Sequence, residues 1–238
     1  MYAALGDPVR LAIVDWLYLS DAAPRELSEH FGLATNLLAH HLQVLEVTGV
    51  IRRSRSEGDR RRRYVQLSLD NPTVRALVGG HHLGDGPRRR RPSRVVFVCT
   101  HNSARSQLAA AAWACVSGVP AASAGTHPAV RVHPRAVAIG RRHDLSLEPA
   151  GTSSIHDVVR RGDLVVAVCD RAHEELAKPE SAERRGQIHW SVPDPVLVNT
   201  NAAFEGAYRD IAGRVARLAD ALTSKDRSAP SDPPAHPS

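Results

Sequence analysis

In the first third of the chain, apolar residues recur at intervals of three and four. Leu5, Val9, Leu11, Ile13, Val14 and Leu17 follow an approximate helical period, and Pro8 stands where a first turn tolerates it. Pro24 then opens a short helix, Arg25 to Phe31, that Gly32 ends. Thr35 is placed as the N-cap of a second helix, Asn36 to Thr48, closed by Gly49. Two short helices joined by a glycine-containing turn predict a helix-turn-helix. After Gly49 the period falls to two. Val50-Ile51 leads into an arginine-rich stretch and a turn at Glu57-Gly58-Asp59. Tyr64-Val-Gln-Leu-Ser-Leu69 then alternates apolar and polar, as a β-hairpin does. The pattern predicts an α+β winged helix over residues 1–78.

Residues 79–94 interrupt both periods. Gly79-Gly80, Gly84, Gly86-Pro87 and Pro92 surround Arg88 to Arg91, which predicts a flexible basic linker. Strand-like and helix-like runs alternate beyond it. Val95 to Val98 precedes a polar loop and an alanine-rich helical run, Gln107 to Val116. Ala121 to Thr126 reads as a strand end and turn. Pro134 to His143 and Thr152 to Arg161 read as helices, Asp163 to Cys169 as a buried strand and Gln187 to Trp190 as a short one. Ala202 to Ser224 is a long amphipathic helix with Phe204, Ile211, Val215 and Leu218 on one side. Such alternation predicts an α/β domain over residues 95–224, a central parallel sheet flanked by helices. Lys225 to Ser238 is rich in Pro and Ser and predicts a disordered tail.

Composition narrows the classes. The chain has 238 residues, room for two ordinary domains, and 42% of them are apolar. No apolar run approaches the ~20 residues that span a bilayer. Asp7, Arg10 and Asp15 interrupt the N-terminus, unlike a signal peptide, so a cytoplasmic protein is expected. The three cysteines lack paired spacing, which suits a reducing compartment better than a disulfide scaffold. The net charge of +6 points to anionic partners. A helix starting at Thr35 can present Asn36, His40, His41 and Gln43 to base edges or phosphates. Arg52, Arg53, Arg55, Arg60, Arg61, Arg62 and Arg63 can neutralise phosphates and make DNA binding salt-dependent. The alternative is a solvated charge run beside an ordinary three-helix domain. The neighbouring pairs His40-His41 and His81-His82 point to different faces, so no metal site is expected.

The chemistry concentrates in Cys99-Thr-His-Asn-Ser-Ala-Arg105-Ser106, a Cys-x5-Arg-Ser oxyanion loop between a buried strand and a helix N-terminus. Backbone N–H groups from Thr100, His101, Asn102, Ser103, Ala104 and Arg105, with the positive end of the helix dipole, favour an anion there. The same field favours a sulfur anion at Cys99. Arg105 offers a planar fork of donors to a tetrahedral oxyanion, and Ser106 can hydrogen-bond the sulfur. Asp194, in Asp194-Pro195 after the Gln187 strand, is placed to act as a general acid for a leaving oxygen.

Residues 1–78 resemble the ArsR/SmtB family of winged-helix repressors. The resemblance rests on Leu5-Gly-Asp-Pro8-Val-Arg10-Leu11, Ala39-His40-His41-Leu42-Gln-Val-Leu45 and Gly49-Val-Ile51. It implies a homodimer paired through terminal helices, and many members release DNA on binding metal or arsenite. Arg25 to Phe31 holds no cysteine, so the thiolate site that the family carries on that helix is missing.

Residues 95–222 resemble the low-molecular-weight protein tyrosine phosphatase superfamily, and within it the arsenate reductases. Gln107 stands where the phosphatases usually have Pro, and Val196 where their Asp-Pro is followed by an aromatic. Ser123-Ala-Gly-Thr126, Asp163 to Cys169, and His189-Trp190 with Asp194-Pro195 follow the reductase pattern. The resemblance implies that Cys99 attacks arsenate, Arg105 binds its oxygens and Asp194 protonates the departing oxygen. A second thiol must then release arsenite. Thioredoxin-linked members use two further cysteines seven residues apart. Cys169 matches the first, but Leu176 stands at the second, and Ala104 replaces a loop cysteine. His101-Asn102 resembles the mycothiol-linked members. No bound cofactor is implied; an external thiol such as mycothiol, with a glutaredoxin-like partner, would complete turnover. Cys169 reads equally as a resolving thiol or a small buried core residue, and Cys115 as core. Together these readings predict a DNA-binding regulator fused to a thiol-dependent arsenate reductase. The alternatives are a phosphatase on phosphotyrosine or small phosphoesters, and a regulator that senses an oxyanion or redox state without turnover.

Overall fold

The computed structural model describes residues 2–79, 92–147, 151–178 and 187–223. Of the expected linker, residues 79–94, the stretch 80–91 with His81-His82 lies outside these residues, and so does the expected tail.

Helix α1 (Tyr2–Leu5) leads into α2 (Pro8–Leu19), whose start is fixed by Asp7: its carboxylate accepts the N–H groups of Val9 and Arg10 at 2.9 and 3.0 Å. Helix α3 (Pro24–Phe31) ends at Gly32, whose φ of +62° suits glycine. Helix α4 (Thr35–Val47) follows after a short turn. Thr35 is its first helical residue; Ala34 occupies the cap and offers no side-chain hydrogen bond, so the expected threonine cap is not made. Strands β1 (Ile51–Arg55) and β2 (Arg63–Leu67) pair antiparallel with Ile51 opposite Leu67, and α5 (Pro72–Gly79) follows. Ile13, Leu17, Leu27, Leu42, Leu45 and Val65 fill a small core of their own. The first expected helix is split, Leu5 falling in the short α1 and Val9 to Leu17 in α2, and the order α2, α3, α4, hairpin is the one the hydrophobic periods predict.

The second half is built on a sheet of order β4-β3-β5-β6, all parallel, from β3 (Val95–Cys99), β4 (Ala121–Gly125), β5 (Leu164–Ala167) and β6 (Ile188–His189). All five residues of β3 are buried, as a central parallel strand covered on both faces requires. Phe97 carries its core, with Trp113 and Trp190 at ring-centroid distances of 5.9 and 5.7 Å. Around the sheet lie α6 (Arg105–Val116), α7 (Pro134–Arg142), α8 (Ile155–Val158), α9 (Asp170–Leu176), α10 (Pro195–Val198) and α11 (Asn201–Thr223). Phe204, Ile211, Val215 and Leu218 of α11 face the core as predicted. The helix expected over residues 152–161 shrinks to the single turn α8, and α9 and α10 have no counterpart in the sequence pattern. Helix α6 starts at Arg105 rather than Gln107, which places Arg105 and Ser106 in its first turn. Cys115 is exposed, not core. It lies about 200° round the helix from buried Trp113, away from the stripe that faces the sheet.

The two cores meet along a buried polar seam. One oxygen of Asp21 accepts from Gln66 Nε2 (2.9 Å) and from the Ser191 N–H (2.7 Å), and pairs with Arg214 (2.9 Å). The Trp190 indole donates to the Leu19 carbonyl at 2.9 Å, and the Asp21 N–H to the His189 carbonyl at 2.8 Å. Beside them the rings of His173 and His189 stack at 4.1 Å, with Tyr64 edge-on to His189. His189 Nε2 reaches Asp170 at 3.0 Å, and His173 Nε2 reaches Glu26 at 3.0 Å. Burial, and His173 next to it, hold His189 below the ordinary histidine value even though Asp170 opposes the shift. The neutral ring therefore donates from Nε2 to Asp170.

Two expectations follow for stability. Asp21→Ala leaves Gln66 and a buried Arg214 short of a partner and should cost about 3–5 kcal/mol in urea unfolding. Acidification should also weaken the fold. The unfolded chain takes up a proton at His189 near pH 6.5, while the folded chain resists it. Stability is thus full above that value and is lost as pH falls below it. Glu26 and Asp170, both held low by their histidines against burial, extend the loss into the carboxylate range. Calorimetric Tm should fall between pH 7 and 5, and His189→Gln should flatten that slope.

Candidate active site

Strand β3 delivers Cys99 to the carboxyl end of the sheet, where open parallel sheets bind ligands. The loop after it curls tightly. The carbonyls of Cys99, Thr100, His101 and Ser103 accept hydrogen bonds from Thr126, His127, Ala129 and His133, at 2.8 to 3.1 Å. Because each peptide is planar and trans, carbonyls turned outward turn the next residues' N–H groups inward. The Asn102 N–H shows the result, lying 3.2 Å from Cys99 Sγ. Such a ring of amides is an anion cradle.

Asn102 pins the loop. It is fully buried with φ +50°, a conformation asparagine tolerates better than most residues. Its Oδ1 accepts from the Ser153 N–H (2.8 Å) and Gln107 Nε2 (3.2 Å), and its Nδ2 donates to Ser106 Oγ (2.8 Å). With that lone pair engaged, the Ser106 hydroxyl is left to donate to Cys99 Sγ, 3.0 Å away. Gly125 lets the loop lie against β4: a Cβ there would come within 2.9 Å of the Thr100 carbonyl and 3.0 Å of Asn102.

Arg105 faces the cradle from the first turn of α6 and is only 5% exposed. Its guanidinium donates to the Val192 carbonyl at 2.9 Å and pairs with Asp194 at 3.0 Å. Burial works against its charge, but Cys169, Asp194, Cys99 and Glu57 together raise it above the ordinary arginine value, so it stays a fixed cation. Asp194 caps α10, with Oδ1 accepting the Val196 N–H at 3.1 Å. Cys169 caps α9 and lies 3.5 Å from Thr100 Oγ1. Burial and the neighbouring Cys99 push its thiol up, with Arg105 opposing. Cys99, Arg105, Ser106, Asp194 and Cys169 thus converge on one site. Thr100 and Ala104 are buried in the loop, while His101 is exposed and Ser103 half-buried at a cleft of about 920 Å³ shared with Arg131 and His133.

One contributor escaped the sequence reading. Glu57, from the turn of the β1–β2 hairpin, accepts from Arg105 at 2.9 Å and from the Asp194 N–H at 2.6 Å. It lies in the other half of the chain, and an acid among arginines at a turn was its sole signal.

The residues expected to face DNA divide. Asn36, His40 and Gln43 are exposed on α4. His41 is not: it is 6% exposed and turned toward Asp7, because it falls on the same face as Leu38, Leu42 and Leu45. Arg52, Arg55 and Arg60 to Arg63 are exposed, and Arg53 is half-buried against Glu46 at 3.1 Å. Arg61 and Arg62 lean on Asp59. Among the described residues, no group of three or more His, Cys, Asp or Glu is arranged to hold a metal ion. No helix among them is long and apolar enough to cross a membrane.

A parallel sheet that carries a cysteine in an amide cradle, an arginine on the following helix turn and a carboxylic acid opposite defines a class of oxyanion-handling enzymes. The family described as low molecular weight phosphotyrosine protein phosphatase matches residues 94–228, and the chain belongs to that family. A curated relative, arsenate reductase 1 of Bacillus cereus, is 28% identical over 129 residues, spanning 53% of this chain and 93% of that protein. The tyrosine phosphatase AmsI of Erwinia amylovora shares the fold with a TM-score of 0.52 at 18% identity, covering 59% of this chain and 99% of its own. The YwlE arginine phosphatase, solved as a variant with a phosphorylated active-site serine, does so at 0.50 and 22%, over 56% of this chain and 97% of its own.

Asn102→Ala removes the pin without touching a reacting group. It should weaken inorganic phosphate binding about tenfold in calorimetric titration, near the worth of one hydrogen bond to the loop, with an unchanged circular dichroism spectrum.

Proposed function

We propose that this protein couples arsenic detoxification to gene regulation: residues 95–224 form a thiol-dependent arsenate reductase and residues 1–78 a winged helix that binds DNA. The observation that carries the enzymatic reading is the Cys99 sulfur held by Ser106 and the Asn102 N–H, with Arg105 and Asp194 across from it. The likeness to the Bacillus cereus reductase supports arsenate as the oxyanion.

In this reading Cys99 attacks arsenic and forms a sulfur–arsenic bond. One oxygen leaves as water after Asp194 supplies a proton. Arg105 and the loop amides hold the remaining oxygens. A low-molecular-weight thiol then attacks Cys99 Sγ. The sulfur–arsenic bond breaks with its electron pair on arsenic, arsenite departs, and a mixed disulfide remains for a glutaredoxin-like protein to reduce. The buried Cys169 thiol, pushed up by its surroundings, is a weaker attacking group than a solvated thiol, which favours the external donor. A second reading, phosphatase action, uses the same residues: Cys99 takes the phosphoryl group, Asp194 protonates the leaving oxygen, and water then hydrolyses the intermediate. The family to which the chain belongs favours it.

The DNA reading rests on Asn36, His40 and Gln43 exposed on α4 and on the exposed arginines of the hairpin. A homodimer in the cytoplasm would match the implied regulator.

Purified protein should reduce arsenate with one of mycothiol, glutathione or thioredoxin as donor, and Cys99→Ser should lose that activity entirely. Hydrolysis of an aryl phosphate without arsenate reduction would shift the assignment to phosphatase. For DNA, fluorescence anisotropy with the sequence upstream of its own reading frame should show affinity falling steeply with salt. Arg60→Ala or Arg63→Ala should each lower the slope of log K against log salt by about one; an unchanged slope would remove the hairpin from the interface.

A further inference from the structure

We propose that Glu57 is an internal ligand of the oxyanion site, a carboxylate that latches the β1–β2 hairpin onto Arg105 and Asp194 and must be expelled before phosphate or arsenate can bind. The proposal rests on reading the Cys99 loop as an oxyanion site.

Both oxygens of Glu57 are committed there. Oε2 accepts from Arg105 at 2.9 Å, and Oε1 accepts from the Asp194 N–H at 2.6 Å. Glu57 is thus bound by groups that the reaction also needs. The guanidinium of Arg105 already serves Glu57, Asp194 and the Val192 carbonyl. An oxyanion in the cradle would put a further negative charge beside one cation that already carries two carboxylates. Like charges crowded on one cation disfavour each other. Asp194 is anchored as the cap of α10, and Cys99 lies in the core. Glu57, with 31% of its side chain exposed, is the acid free to leave.

The turn around it is seated to match. The Glu57 N–H donates to Asp170 at 2.9 Å, Ser56 Oγ to Glu174 at 2.7 Å, and the Asp59 N–H to Glu174 at 2.8 Å. Gly58 lies so close to α9 that a Cβ would come within 3.1 Å of the Arg171 backbone. Arg52, Arg53, Arg55 and Arg63 ride on the strands that this turn joins, and Arg60, Arg61 and Arg62 lie in the turn itself. Displacing Glu57 therefore changes the footing of the basic hairpin, and it returns a negative charge to the hairpin's tip. An anion at Cys99 and a polyanion at the hairpin are then linked, each altering the affinity of the other by the same factor.

The test is calorimetric titration of inorganic phosphate into full-length wild type, Glu57→Gln and Glu57→Ala, with thermal melts to confirm folding. A latch closed nine-tenths of the time lowers apparent affinity about tenfold. Glu57→Ala should therefore bind phosphate about tenfold more tightly than wild type, with Glu57→Gln in between. In wild type, hydrogen exchange at residues 55–62 should quicken when phosphate is added; in Glu57→Ala it should be fast already and unaffected. Equal or weaker binding by Glu57→Ala would overturn the latch while leaving the oxyanion site intact. Failure of phosphate to bind any of the three would overturn the oxyanion reading, and the latch with it.

Discussion

A single buried cation organises this molecule. Arg105 is almost wholly withdrawn from water, and its charge is kept there only because acidic and polar groups surround it. Those groups come from four places: Cys99 on β3, Cys169 between β5 and α9, the Val192–Asp194 segment after β6, and Glu57 on the hairpin. The carboxyl ends of three strands are thereby drawn to one point. The arginine that would meet an oxyanion is thus also the residue on which the architecture closes.

The seam between the halves obeys the same rule of paired burial. Asp21 ties Gln66, the Ser191 backbone and Arg214 together, Gln66 also donates to the Ser191 carbonyl at 3.0 Å and Arg214 also pairs with Asp210 at 2.7 Å, so these buried groups are each partnered. The histidines beside it are accommodated in another way. His189 stays neutral and uses its one N–H on Asp170. The hairpin turn touches both, through Asp170 and Glu174 on the seam side and through Arg105 and Asp194 at the site.

What could be read from the chain was what is local in sequence. The apolar β3 run, the polar loop and the helix behind it are consecutive, so spacing alone groups Cys99, Arg105 and Ser106. Asp194 followed because an acid after the last strand of a parallel sheet must emerge at the same edge. The long periodic helices α2, α4 and α11 were equally legible. The misreadings share a cause. Helices α8, α9 and α10 are too short for a period to develop. His41 and Cys115 each needed the angular position of one residue on a helix whose buried stripe the sequence leaves open. Glu57 and Asp21 act across the chain, on Arg105 and Arg214, and no periodicity or spacing encodes such a pairing. A turn acid surrounded by arginines looks like a counter-charge until its partner is in view.

The polar seam also bears on how such a molecule changes over generations. A free-standing enzyme half would present Arg214, the Trp190 indole and the Ser191 amide to water without Asp21, Leu19 and Gln66 to meet them. A free-standing first half would lose the partners of the same groups. A substitution on either side of these contacts has to be matched on the other. The seam thus binds the two halves to change together, because a substitution that removes one buried polar group leaves its partner on the other side unpaired.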